Sequence, residues 1–173
     1  YARAAELLPK SAVPRMKLAV LLLGEDRIDE AIEAAGEAIK LRPDDPWGYG
    51  LQGLAHVVGE DINLAEAAFE SALGIDPDYG LAISELAEIK EANGQREQAV
   101  ELYERGLRID GLSDGARASY AGVLQSEGRQ KDAEELLRAV VDDEEQFECR
   151  RALVELLADT DRRQEGIDLL RRV

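Results

Sequence analysis

Cysteine, histidine, aromatic side chains, positive charge and long apolar runs are all scarce in this chain, and each scarcity removes a class of function. One cysteine, Cys149, excludes an internal disulfide and leaves the compartment open, cytoplasm or periplasm. One histidine, His56, leaves a histidine-based zinc motif or an imidazole-driven nucleophile without partners. The longest unbroken apolar run, residues 18–23, falls far short of the roughly 20 residues that span a bilayer. Basic residues number 21 against 37 acids, a formal net charge of −16. Such a surface repels phosphate, so nucleic acid and anionic lipid are poor partners and a basic peptide or protein surface is a good one. Arg outnumbers Lys by 16 to 5, which fits a GC-rich bacterial genome.

What the chain does have is 45% apolar and 34% charged residues, an ordinary balance for a folded protein. With one Trp, two Phe and five Tyr, its core must come from Ala, Leu, Ile and Val, which suit close helix–helix packing. These residues recur. Pro9, Pro43 and Pro77 are 34 apart, and the next step lands on Gly111. The same step links Ala4, Ala38, Ala72, Gly106 and Val140, and it links Ala31, Ala65, Ala99 and Ala133. Ala35, Phe69, Tyr103 and Leu137 form a bulky column, and Ala19, Gly53, Ala87 and Ala121 a small one. Several columns agreeing at one period is the signature of a repeat architecture. Small residues in some columns, a large one in another and a breaker at the end describe two helices crossing closely before a turn.

The pattern resembles the tetratricopeptide repeat: small at position 8, Ala at 20, aromatic at 24, Ala at 27 and Pro at 32. The resemblance covers essentially the whole chain. It implies an all-α, right-handed α-solenoid of antiparallel helix hairpins, with units at 12–45, 46–79, 80–113 and 114–146. Residues 1–11 read as the end of a preceding second helix, and 147–173 as a partial fifth unit. That unit fits one residue early, after a shortened turn at 142–146. Tyr1 in the bulky column and Val173 in a small one, with no polar capping repeat, read as a piece of something longer. The usual Trp of position 4 is replaced by Arg15, Tyr49, Ile83 and Arg117, and the Tyr of position 11 by Leu22, His56, Lys90 and Leu124. The pentatricopeptide repeat, which reads RNA, is set aside on charge.

Helices advance about 100° per residue, so positions 4, 7, 8 and 11 of each first helix cluster toward its partner. Positions 2, 5, 6, 9, 12 and 13 face the other way, onto the concave surface where the family usually holds ligands. There the sequence puts Val13, Met16, Lys17, Val20 and Leu23, then Trp47, Leu51, Leu54, Val57 and Val58. Next come Glu85, Glu88 and Glu91, followed by Gly115, Ala118, Ser119, Gly122 and Gln125, with Glu148, Arg151, Ala152, Glu155, Ala158 and Asp159 last. The groove should be apolar at its N-terminal end and acidic beyond. An amphipathic or extended segment would set apolar anchors near Trp47 and basic residues over the three glutamates. The bland alternative packs Val13, Met16 and Val20 against another repeat or a dimer mate. The clamp that this family uses for chaperone tails needs Asn where Val20 and Leu51, or Leu54 and Glu85, stand.

Other signals read as structure. Gly48-Tyr49-Gly50-Leu51-Gln52-Gly53 matches GxGxxG literally, but no strand precedes it, so it is not a dinucleotide site. Gly48 and Gly50 could let a ligand backbone approach beside Trp47. His56 reads as a satisfied core residue, Cys149 as a small helix residue and Asp142-Asp143-Glu144-Glu145 as a solvated turn. Residues 76–80 lack the later Glu of a calcium loop. The reading is a binding or scaffolding module, with no catalytic group, metal site or cofactor. Its alternatives are an accessory arm of a larger enzyme or assembly machine, and a self-association module.

Overall fold

Runs of Ala, Leu, Ile and Glu broken every dozen residues by Gly, Pro or Asp favour short helices, and helices are what form. The computed structural model describes residues 1–141, 146–160 and 162–171. Asp142-Asp143-Glu144-Glu145 and Val173, on which two expectations rest, lie outside the described residues. The rest holds eleven helices and no strand. They are α1 (Ala2–Leu7), α2 (Val13–Gly24), α3 (Ile28–Leu41), α4 (Pro46–Val58), α5 (Ile62–Ile75) and α6 (Gly80–Ala92). After these come α7 (Arg96–Arg108), α8 (Asp114–Ser126), α9 (Gln130–Arg138), α10 (Phe147–Asp159) and α11 (Arg163–Leu170).

Each helix packs against the next in sequence, and α2, α4, α6, α8 and α10 also touch others of their own row. Two rows of antiparallel helices result, which is an α-solenoid. The columns of small and bulky residues make the seams. Ala35, Phe69, Tyr103 and Leu137 are all 0% exposed. A Cβ on Gly53 would lie 2.5 Å from the Phe69 ring, so the smallest residue in one helix makes room for the largest in its partner. Tyr103 in turn stacks on Tyr120 of the following hairpin, ring centroids 5.1 Å apart.

The turns carry the period too. Asp26, Glu60, Gly94 and Gly128 sit 34 residues apart, and all four have left-handed φ, 59°, 62°, 73° and 77°. Past each, an amide reaches back five residues to the preceding helix: Arg27 to Leu22, Asp61 to His56, Gln95 to Lys90 and Arg129 to Leu124. This closure satisfies helix-end carbonyls that would otherwise be orphaned. Starts are fixed by Asp45, which accepts from Trp47 N at 3.0 Å, and by Ser113, which accepts from Ala116 N at 3.1 Å. Asp114 works across hairpins: its carboxylate accepts from the Glu148 and Cys149 amides at 2.5 and 2.9 Å, capping α10 from the hairpin before it.

Where the usual aromatics are missing, ion pairs stand in. Arg15 meets Glu37 at 2.8 Å, Lys90 pairs with Glu66, and buried Arg117 reaches Asp110 at 3.3 Å.

Candidate interaction surface

The helices with even numbers present one edge to the inside of the solenoid, and the sequence there changes character along the chain. On α2, Val13 and Val20 are 46% and 44% exposed, with Val58 of α4 at 50%. Lys17 extends over the Trp47 ring, 5.0 Å from its centroid, a cation–π contact that holds the indole in place. Leu23 and Trp47 are half-buried against the first core cluster, and Leu54 and Val57 against the cluster beside α5 and α6.

Two expected surface residues are not on the surface. Met16 is 0% exposed and Leu51 is 3% exposed. Both belong to the same buried cluster as Ala19 and Ala55, so α2 and α4 interdigitate where a free groove wall was expected. The glycine expectation is corrected as well. A Cβ at Gly48 would meet Ile39 at 2.9 Å, and one at Gly50 would meet the Tyr79 hydroxyl at 2.8 Å. Those glycines admit the protein's own side chains, not a ligand backbone.

On α6, Glu85, Glu88 and Glu91 stand one turn apart and are half-buried. Glu91 accepts a hydrogen bond from the Tyr103 hydroxyl at 2.6 Å. Glu88 points toward α8, its Oε1 3.4 Å from where a Gly115 Cβ would be. Burial pushes the Glu88 carboxyl up to about 7, and the neighbouring Glu85 and Glu91 add to it. Burial also raises Glu85. No lysine or arginine lies between Arg42 and Lys90, and Lys90 is already bound to Glu66. The glutamates therefore have no free cation on their own helix to offset them.

Beyond them α8 and α10 frame a depression of about 350 Å³. Its floor is small, Gly115, Ala118, Ser119 and Gly122, and its far wall carries Glu148, Arg151, Glu155 and Asp159.

The side chains set aside on sequence grounds have structural roles. Cys149 is fully buried, its thiol pushed up to about 12 by burial and by Asp114 beside it. His56 is buried, but its Nδ1 lies 4.0 Å from the Asp61 carboxylate, outside hydrogen-bond distance, so it is less satisfied than expected. Among the described residues no three His, Cys, Asp or Glu side chains gather as a metal set, and no helix is long and apolar enough to cross a membrane.

Comparison with known proteins bears on this arrangement. Tetratricopeptide repeat profiles match residues 15–45 and 60–119, together just over half of the sequence. The chain belongs to the tetratricopeptide repeat family. Within it, small glutamine-rich tetratricopeptide repeat-containing protein 2 of Saccharomyces cerevisiae is 37% identical over 81 residues. That match takes in 47% of this chain and 23% of the relative, so the chain spans less than a quarter of that protein. YrrB, described as a tetratricopeptide repeat protein with an unusual peptide-binding site, superposes with a TM-score of 0.67 at 21% identity, covering 98% of this chain and 88% of that one. The first such domain of Spaghetti, solved with the HSP90 peptide SRMEEVD, gives 0.62 at 19% identity over 68% of this chain and 94% of that one. At these identities the structures share the fold.

Proposed function

We propose that this chain is a protein-docking module that holds a basic, amphipathic segment of another protein along the inside of the solenoid. Family membership and the two peptide-binding structures of the same fold support a binding role. The row Glu85, Glu88 and Glu91, half-buried and with the one lysine of its own helix already paired to Glu66, carries the choice of partner. Leaving three carboxylates in a partly desolvated groove is unfavourable unless an incoming cation offsets them. Val13, Val20 and Val58, with the Trp47 edge, supply apolar anchor points further toward the N-terminus. The three valines are already about half buried, so covering the rest contributes on the order of 1 kcal/mol each.

An acidic tail such as SRMEEVD suits this surface badly. The places where a carboxylate clamp would need amides and cations hold Val20, Leu51, Leu54 and Glu85. The observations thus favour a partner of opposite charge to the chaperone-type tail.

Selection from a random peptide library displayed on phage tests the reading. Enrichment of sequences with Lys or Arg spaced from Leu, Phe or Trp is expected. Enrichment of acidic sequences, or binding that ignores ionic strength, contradicts it, because a contact with desolvated glutamates must weaken with salt.

A further inference from the structure

The floor of the depression between α8 and α10 is made by missing side chains. Steps of 34 residues back from Gly122 reach Glu88, Leu54 and Val20, and from Gly115 they reach Leu81, Trp47 and Val13. Each earlier hairpin thus puts a large side chain where α8 puts only hydrogen. Elsewhere such a glycine answers to a neighbour: a Cβ at Gly53 would lie 2.5 Å from Phe69, and one at Gly80 would lie 2.5 Å from the Gly111 carbonyl. At Gly122 a Cβ would meet nothing within 4 Å, and at Gly115 it would meet only the Glu88 carboxylate, at 3.4 Å. Glycine in a helix interior is unfavourable relative to alanine, and no contact within the protein requires it at these two places. Gly36 and Gly74 are equally open but stand singly on α3 and α5. Above Gly115 and Gly122, two turns apart on one face, the open space joins over Ala118 and Ser119 into the depression of about 350 Å³.

The walls show what suits this space. Arg151 is taken by Glu148 at 2.7 Å and reaches Glu155 at 4.0 Å. Asp159, exposed further along the same wall, forms no ion pair among the described residues. Glu88 brings another carboxylate to the Gly115 end. A cation arriving at either end is therefore attracted, and an anion is repelled. Gln125, half-buried in the lining, has a side-chain amide with no hydrogen bond among the described residues. An amide both donates and accepts, which matches a peptide group, and only a non-helical backbone leaves its peptide groups open to such a partner. The Tyr103 hydroxyl that donates to Glu91 also meets Ser119 of the floor, so the depression continues the row of glutamates.

We infer that the α8–α10 depression receives the basic end of the docked segment in extended form, its backbone against Gly115, Ser119 and Gly122 and its Lys or Arg side chains at Glu88 and Asp159. The inference rests on the docking role proposed above and gives it a direction. Apolar residues of the segment lie toward α2 and α4, and basic ones toward α8 and α10.

The test uses a synthetic, fluorescein-labelled peptide carrying the consensus selected on the wild-type chain from the phage library, with binding read by fluorescence anisotropy. Gly122→Leu fills the depression from its floor without touching the protein's own packing, and Asp159→Lys reverses one wall; both positions are exposed, so circular dichroism should show both variants helical. Gly122→Leu should weaken binding about tenfold or more, and Asp159→Lys about threefold or more. Removing the basic end of the peptide should weaken binding to wild type but cost the Gly122→Leu variant little further, as expected when both changes delete one contact. Full affinity in folded Gly122→Leu and Asp159→Lys, with binding still lost in Glu85→Lys plus Glu88→Lys, would overturn this inference and leave the docking role standing. Full affinity in all three variants would overturn the docking role together with it.

Discussion

The Tyr103 hydroxyl donates to Glu91 at 2.6 Å, tying the buried column of α7 to the acidic row Glu85, Glu88 and Glu91 of α6. The ring is wholly buried and stacked on Tyr120, and burial together with Glu91 pushes its ionisation far up, so it serves as a fixed donor. Tyr103→Phe keeps the stacking and removes the donor. Hydrogen bonds to charged groups contribute about 1.5–3 kcal/mol, so a loss of that order is expected in urea unfolding.

Glu88 gives a pH signature. Its folded-state pKa is about 7 against 4.5 for the free side chain, with burial the main cause. Between those values the folded chain holds a proton that the unfolded chain has lost. The stabilisation is therefore complete below 4.5 and disappears as pH rises through 7. Glu88→Gln should remove that loss, so its advantage over wild type in urea midpoint should be larger at pH 8 than at pH 5. Glu30, Glu134 and Glu165, held low by arginine hydrogen bonds, act in the opposite direction but are common to both proteins.

Left-handed turn residues offer a test of backbone strain. A Cβ at Gly94 meets nothing within 4 Å, so the cost of Gly94→Ala is conformational, about 1 kcal/mol. Glu60 bears the same φ with a side chain, and Glu60→Gly should recover up to about 1 kcal/mol. Thermal melts of the two variants should move in opposite directions.

Asp114 caps α10 from the preceding hairpin, so its loss should be felt locally. Asp114→Ala should cost about 1 kcal/mol. Amide exchange should quicken in α10 and α11 while α2 to α5 stay protected, as expected of a solenoid held by neighbour contacts.

Much of this fold was legible because helical repeats write their packing into a fixed period. Ala31, Ala65, Ala99 and Ala133 announced the close crossings, and Phe69 opposite Gly53 is the contact that spacing implied. The left-handed turn residues were harder to see, since glycine stands at 94 and 128 but Asp26 and Glu60 hide the same geometry. The surface was only partly legible. Angular position put Met16 and Leu51 on the concave side, but angle does not say how closely α2 and α4 approach, and their small neighbours Ala19 and Ala55 let them interlock. Gly48 and Gly50 misled for a related reason: the sequence shows a missing side chain, not whether Ile39 or Tyr79 fills the space. The tie from Tyr103 to Glu91 joins different helices and leaves no trace in local spacing.

The central claim is that the concave face docks a basic, amphipathic segment. Fluorescence anisotropy with one library-selected peptide should compare wild type with Val13→Glu plus Val20→Glu, and with Glu85→Lys plus Glu88→Lys. All four residues are at least partly exposed, so circular dichroism should show both variants helical. Each pair of changes should weaken binding at least tenfold, and salt should weaken binding to wild type but not to the lysine variant. Equal affinity for all three folded proteins would contradict it and place the binding surface elsewhere.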